Sequence, residues 1–559
     1  MAGSRLDLST GSPSGTVSRP TALRPLGGWA KPRATIDDRV ALFSLISLGI
    51  VFAIILVTTI RSPLKDDIAW LLHVAQDVLR GKRLYVDDIE VNPPLIVWIL
   101  MLPAEFARLT GLSAPVLADL FFAGTALGSA FWSAWLLRDY SAVFDNRAAV
   151  FAAIGAVLLI VPGVEFGQRE HLLAVFALPY LCLFAQRLRH QHPSTAHALG
   201  CGAVAAVGCA LKPHYAMAFA GLEALAATRG VRVWRAETVC ALVLLVGYAA
   251  AVAVFFPVYF SFIVPFARDL YGASDAPFGM LLLQSHNLLL GQSIVLLLCL
   301  TRVGGTRGDP LLLALAVFGC GTIAACFIEQ KDWFYHRLPA TTVVVLAIAY
   351  WIAGVFVDHT ASGRRKLAGL AVAACALGAF GGAAADRLTP RVEFALGESA
   401  PLESRIEDLV KRSGATRYMA FSQSLSPGFP VVDEAGAVWT SRFDSMWALR
   451  SVVWHLRNRR GTLPWPVKRW VVTDFVRGCP ELVVVDDRDD VDYITVLSAS
   501  PQFAAAWSNY RQTAAFDGIR VFALTAGHVI SAAAAHAPAL ARPSDSFGLD
   551  CGARCVPCQ

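Results

Sequence analysis

The residues with the widest chemical reach lie just beyond the ends of apolar segments. Asp66 and Asp67 stand side by side in the polar stretch 66–94, DDIAWLLHVAQDVLRGKRLYVDDIEVNPP, which follows a long apolar run and also carries Tyr85 and Asn92. A carboxylate placed there can serve as general base for a hydroxyl, provided it is ionised and within hydrogen-bond reach. The pair can instead simply cap the helix IAWLLHVAQDVLRG, which would close at Gly81. Adjacent residues at a helix start point in different directions, so one Asp can do chemistry while the other caps. Asp66 is the first choice for the base.

Further polar groups follow other apolar runs. One loop holds Glu165, Gln168, Arg169, Glu170 and His171; LKPHY holds Lys212 and His214; LLLQSHN holds Gln284 and His286; EQKDWFYHR holds Lys331, Asp332, Tyr335, His336 and Arg337. Lys212 has no other charge nearby in GCALKPHYAMAF, and a Lys inside a membrane costs about 2.5–3.5 kcal/mol on insertion scales. With Pro213 breaking the helix, Lys212 can floor a polar cavity, or it can snorkel to the headgroups. Lys331, His336 and Arg337 suit a phosphate group, although an aromatic belt with Arg anchors has the same composition. Glu165 and Glu170 can face a ligand or only offset the dipole of the helix starting near 171.

The elements that must position these groups are membrane helices. Of 559 residues, 56% are hydrophobic and only 16% charged, against roughly 25% charged in soluble proteins. Apolar runs near 40–60, 115–137, 148–163, 171–188, 197–211, 214–228, 238–257, 280–300, 310–328, 338–356 and 367–385 approach the roughly 20 residues that cross a bilayer. The run 93–109 is ambiguous. If it does not span and the N-terminus is inside, the five short cytoplasmic loops carry twelve Lys and Arg and the four short outside loops five. If it spans, that bias reverses, against the positive-inside rule. Residues 93–109 are therefore expected to lie in the outer interface as an amphipathic helix, leaving eleven spans, the N-terminus inside and the C-terminus outside.

The expected division is a disordered cytoplasmic tail at 1–38 without a signal peptide, a transmembrane module at 39–385 with its first outer loop at 61–114, an extracytoplasmic α/β domain at 386–530, and a disordered tail at 531–559. In the domain, 402–414 and 446–461 read as helices ended by Gly, and 416–422, 436–443, 481–487 and 518–524 read as strands. The net charge of +6 comes from basic residues in short loops and does not indicate nucleic acid. Eight of twelve Cys lie in or beside apolar runs, as packing residues do. The terminal CGARCVPC has loose metal-ligand spacing without a fourth ligand.

The first span, the acidic pair Asp66-Asp67, a helix ending at Gly81, Tyr85 with Asp87, and then NPPLIVWILMLPAEFARLTG together resemble the GT-C superfamily of membrane glycosyltransferases. The style is that of bacterial relatives of protein O-mannosyltransferases and lipid A aminoarabinose transferases. Asn-Pro-Pro-Leu at 92–95 is similar to the Pro-Pro-Leu of their first loop. The resemblance covers 40–385 as architecture and 61–110 as a motif. It implies an inner-membrane hexosyl- or pentosyltransferase with a polyprenyl-phosphate-linked sugar as donor. Asp66 or Asp67 would be the base for an acceptor hydroxyl on a glycan, lipid or protein, with membrane lipids as further partners. Cations of later loops would meet the phosphate, and the substrate-binding set is Glu170, His171, Arg169, Lys212, His214, Lys331, His336, Arg337, Tyr85 and Asn92. Glu165 and Glu170 stand where the family usually has Asp. No metal site or cofactor is expected from the residues, with a divalent cation left open. The rival readings are a transporter or flippase of lipid-linked sugars, which calls for broken helices in paired halves, and a non-catalytic envelope assembly protein, for which the loop carboxylates would be dispensable.

Overall fold

Within hydrocarbon, every backbone polar group must be satisfied inside its own segment, so long apolar runs become helices. The computed structural model describes residues 38–525 except 273–274, 284–288, 302–308, 332, 358–361, 377, 379–381, 398–400 and 459–460. The tails expected at 1–38 (Asp38 aside) and 531–559, residues Gln284, His286 and Asp332, and the C-terminal cysteines lie outside the described residues.

Helix α1 (Asp38–Arg61) is followed by two helices of the first loop, α2 (Asp66–Leu79) and α3 (Leu95–Thr110). The bundle continues through α4 (Ala114–Leu136), α5 (Arg147–Ile160), α6 (Arg169–Leu188), α7 (Thr195–Leu211), α8 (Ala216–Thr228) and α9 (Ala236–Phe255). It is completed by α10 (Val264–Tyr271), α11 (Phe278–Leu283), α12 (Leu289–Thr301), α13 (Pro310–Glu329), α14 (Leu338–Val357), α15 (Gly363–Ala376) and α16 (Gly382–Leu396). Each of the eleven expected runs contains a helix. Among the described residues six are long and apolar enough to cross a membrane alone, in α1, α4, α6, α9, α13 and α14, while α5, α7 and α12 are apolar but shorter. The fold is that of a multi-pass membrane protein.

Helix α3 has 16 residues, short of the roughly 20 that cross the hydrocarbon core. It buries Ile96, Val97, Leu100 and Ala104 and exposes Leu102, Phe106 and Leu109, the two-sided pattern of a helix lying along an interface. At the far end of the chain, α16 packs against α1, and Arg61 Nη1 donates to the Ala395 carbonyl at 3.2 Å.

The C-terminal domain holds α17 (Leu402–Ser413), β1 (Arg417–Phe421), α18 (Val431–Glu434), β2 (Val438–Trp439), α19 (Trp447–Arg457), α20 (Val467–Gly478), β3 (Leu482–Asp486), α21 (Tyr493–Ser498), α22 (Pro501–Trp507), β4 (Tyr510–Phe516) and β5 (Ile519–Leu524). The sheet order is β2-β1-β3-β5-β4, with β1 parallel to β2 and β3, and β5 antiparallel to β3 and β4. Strand β3, LVVVD, is buried at every position, as a strand covered on both faces must be. Gly414, at φ +69°, ends α17 in the left-handed region that glycine enters without strain. Four strands match the sequence expectation, β2 in shortened form. The fifth, β4, pairs with β5 across Asp517-Gly518, both at positive φ, as in the twisted two-residue hairpin turn.

The domain sits on the same end of the bundle as the first loop and is fastened to it. Ile89 N donates to the Arg442 carbonyl at 2.7 Å, and Trp465 Nε1 donates to Asp269 at 3.1 Å. Phe429 packs edge-on to Trp70, and Tyr271 stacks on Trp447 with ring centroids 4.8 Å apart. His73 bridges Asp433 of the domain at 2.7 Å and Asp77 of its own helix at 3.3 Å. Burial opposes a charged imidazole there, but the two carboxylates outweigh it and hold the His73 pKa up at about 9. A pKa raised on folding stabilises fully below the unfolded value near 6.5, and that contribution is lost as pH rises through about 9. The Tm of the detergent-purified protein should therefore fall from about pH 7 to 10, and His73→Gln should lower it at pH 7 and flatten the fall. A variant tracking wild type at every pH would show that the bridge contributes nothing.

Candidate active site

A cavity of about 730 Å³ opens between the first loop, the ends of α6, α7 and α13, and the C-terminal domain. Asp66, Asp67, Asn92, Arg169, Lys212, His214, Lys331 and His336 all line it. Sequence positions spread over 270 residues of chain are thus gathered in one place.

The acidic pair divides as two neighbours on a helix start should. Both residues fall in the first turn of α2. Asp66 Oδ1 accepts the backbone N–H of Asp67 at 2.8 Å and pairs with Lys65 Nζ at 3.2 Å. Burial pushes the Asp66 pKa up, against the pull of Lys65. Asp67 Oδ2 accepts from Gln168 Nε2 at 2.9 Å, and no protein donor meets its Oδ1 among the described residues. Gln168 is held in place by Gly167, at φ +86°, where a Cβ would stand 2.5 Å from the Phe122 ring. Opposite the pair lies Glu90, buried, with Trp70 Nε1 on one oxygen and the Asn92 N–H at 2.6 Å on the other. Burial raises its pKa as well.

Lys212 does not snorkel. It follows α7 in extended backbone, and its ammonium lies 2.6 Å from Glu170 Oε1 and 3.0 Å from Glu329 Oε1. His336 joins them, 3.0 Å from Glu329 through Nδ1 and 3.6 Å from Glu170 through Nε2, and His214 reaches Glu329 at 3.1 Å. Ligand atoms of Glu170, Glu329 and His336 lie within 4.8 Å of one another, a donor set that would suit a divalent ion. Lys212 already supplies positive charge to both carboxylates.

Arg169, one residue before Glu170, is 4% exposed and lines the cavity, and its Nε and Nη1 have no hydrogen-bond partner among the described residues. Lys331, by contrast, is taken up by the Tyr271 carbonyl and Asp275. Four residues of the expected set do not line the cavity: Glu170, fully buried against Lys212, and three others. His171 is buried in the bundle, where Nδ1 accepts from Gly167 N at 3.1 Å and Nε2 meets the Leu158 carbonyl at 2.9 Å. Arg337 is buried away from the opening, its carbonyl accepting from Thr341 Oγ1 at 3.0 Å. Tyr85 lies under the loop and donates to the Asn92 carbonyl at 2.7 Å, so it positions Asn92.

Sequence reasoning missed Lys65, Glu329 and the wall supplied by the C-terminal domain, which includes Gln423, Ser424, Asp444, Trp447 and Arg450. No spacing joins the wall residues to Asp66, more than 350 positions earlier; only the docking does.

No protein-family model matches the sequence, and no curated protein matches it. Solved structures do. ArnT, the lipid A aminoarabinose transferase from Cupriavidus metallidurans, superposes in its apo state with a TM-score of 0.52 at 13% identity, over 88% of this chain and 99% of that one. Its complex with undecaprenyl phosphate gives 0.51 at 13%, over 86% and 98%. The chain has a GT-C-like fold. At such identity the likeness concerns architecture, and the GT-C-like fold here brings together the first-loop acids, the floor cluster and the soluble domain.

Removing Lys212 would leave Glu170 and Glu329 buried beside each other without their shared cation. Breaking one side of a buried pair costs about 3–5 kcal/mol. Lys212→Met should accordingly lower the Tm of the detergent-purified protein by several degrees. A shift under about 2 °C would mean the two carboxylates are neutralised by something else.

Proposed function

We propose that the protein is a membrane glycosyltransferase. It moves a sugar from a polyprenyl-phosphate donor to an acceptor hydroxyl at the outer face of the cytoplasmic membrane. The observation that carries this reading is that the Asp67 carboxylate and the Arg169 guanidinium, whose Nε and Nη1 have no hydrogen-bond partner among the described residues, line one cavity at the end of an apolar bundle. The fold shared with ArnT, whose crystal structure holds undecaprenyl phosphate, supports the donor class.

The chemistry follows from the positions. Asp67, with one oxygen oriented by Gln168 and the other free of protein donors, takes the proton of the acceptor hydroxyl. The oxygen attacks the anomeric carbon opposite the phosphate, and the bond to the phosphate oxygen breaks with its electron pair leaving on polyprenyl phosphate. Configuration at that carbon inverts. The guanidinium of Arg169 has donors to receive the phosphate in a dry setting, where such contacts are worth most. Asp66, tied to Lys65 and the start of α2, positions Asp67. Lys212, engaged by two carboxylates, holds the floor rather than the phosphate. A transporter would instead place its polar residues near mid-bilayer, on broken helices in paired halves.

Membranes carrying each variant at normal expression test the assignment through transfer of radiolabelled sugar into glycan products. Asp67→Asn should lose about 100-fold or more in rate, and Asp66→Asn clearly less. Arg169→Gln should weaken undecaprenyl phosphate binding, read by native mass spectrometry, by roughly tenfold or more. Full transfer by both aspartate variants would end the catalytic reading, and a greater loss in Asp66→Asn would exchange the two roles.

A further inference from the structure

The reaction above uses the first loop and the bundle but not the wall that the soluble domain presents. At that wall, the chain leaves the carboxyl end of β1 and runs through Gln423 and Ser424 along the cavity. Strand β1 lies between β2 and β3, both parallel to it, so connections leave β1 and β3 toward opposite sides. In sheets of this kind, ligands settle in the crevice beyond the strand carboxyl ends where the connections divide.

Beside this crevice stands Asp444. Its Oδ1 accepts from Ser445 N at 2.6 Å and from Trp447 Nε1 at 2.9 Å, which fixes the side chain. Neither Oδ2 of Asp444 nor the carboxamide of Gln423 meets a protein partner among the described residues, and both residues line the cavity. The one cation of this wall, Arg450, is neutralised by Asp490, Nε to Oδ1 at 2.8 Å.

Charge is therefore sorted across the opening. The open guanidinium donors of Arg169 belong to the bundle, whereas the domain side presents Asp444. Burial, then the charges of Glu90 and Asp67, push the Asp444 carboxyl well above the usual range. A phosphate or carboxylate brought there would face the same negative charges of Glu90 and Asp67 that push Asp444 up, in a poorly solvated place. A hydroxyl both donates and accepts, and so satisfies a carboxyl and a carboxamide together.

We propose that Gln423 and Asp444 form the acceptor subsite, and that this subsite takes a neutral, hydroxyl-rich glycan in preference to a phosphorylated or uronic one. The proposal rests on the transferase reading for its role in the reaction, but its recognition chemistry is testable separately.

Full-length protein in lipid nanodiscs would be applied to arrayed neutral oligosaccharides and to the same oligosaccharides bearing phosphate or uronate groups. Wild type should retain the neutral members preferentially. Gln423→Ala and Asp444→Asn, the latter keeping the acceptor for Trp447, should each weaken that retention by roughly tenfold. Undecaprenyl phosphate binding by native mass spectrometry, and Tm, should stay at wild-type values in both. Retention of no neutral oligosaccharide, preference for the charged ones, or unchanged retention in both variants would overturn the proposal. Loss of neutral-glycan retention in the variants, in a protein that binds no undecaprenyl phosphate, would uphold the subsite and sink the transferase reading.

Discussion

An ammonium group buried at the end of an apolar bundle has to be met by negative charge, and Lys212 is met twice. Glu170 comes from the start of α6, Glu329 from the end of α13, and His336 from the turn that opens α14. One electrostatic requirement thus ties three helices and the break after α7 to a single point. Because Glu170 is committed to that point, its chain neighbour Arg169 is carried along at the same depth, with guanidinium donors that no protein group uses. The floor of the cavity and the open donors of Arg169 arise together.

The opposite wall is assembled by different physics. Aromatic packing, Tyr271 on Trp447 and Trp70 against Phe429, joins the soluble domain to the loop helices. A few polar contacts, led by His73 to Asp433, set its orientation. The acids of the first loop then lie between a charge-paired floor, with the open donors of Arg169 beside it, and an acidic or neutral wall. On the proposed reading, that polarity would keep apart a lipid-held anion and a hydroxyl to be deprotonated.

Much of this was legible in the chain itself. Hydropathy located a helix in each apolar run, and the Lys and Arg count in the loops singled out 93–109, where the structure has the 16-residue α3, because both signals come from the bilayer and act locally. Asp66-Asp67, Arg169 and Lys212 stood out because a charge beside an apolar run is costly unless it is used or paired. What stayed hidden were choices that tertiary packing makes. Burial and Lys65 occupy Asp66, leaving Asp67 the freer carboxylate, and His171 points into the bundle rather than the cavity. Nothing local distinguishes Asp444 from the other acids of its domain. Strand β4 was within reach: Asp517-Gly518 between two alternating segments is a strong hairpin signal, outweighed by the small and polar residues of RQTAAF.

The contact between α16 and α1, with Arg61 holding the Ala395 carbonyl, has a consequence for how the cavity wall is kept in place. It anchors the root of the soluble domain beside the first helix, and only residues 397–401 separate α16 from α17. A tether that short keeps a detached domain at an effective concentration on the order of millimolar over its own docking site. Contacts too weak to hold two separate molecules together are then enough to keep the wall shut.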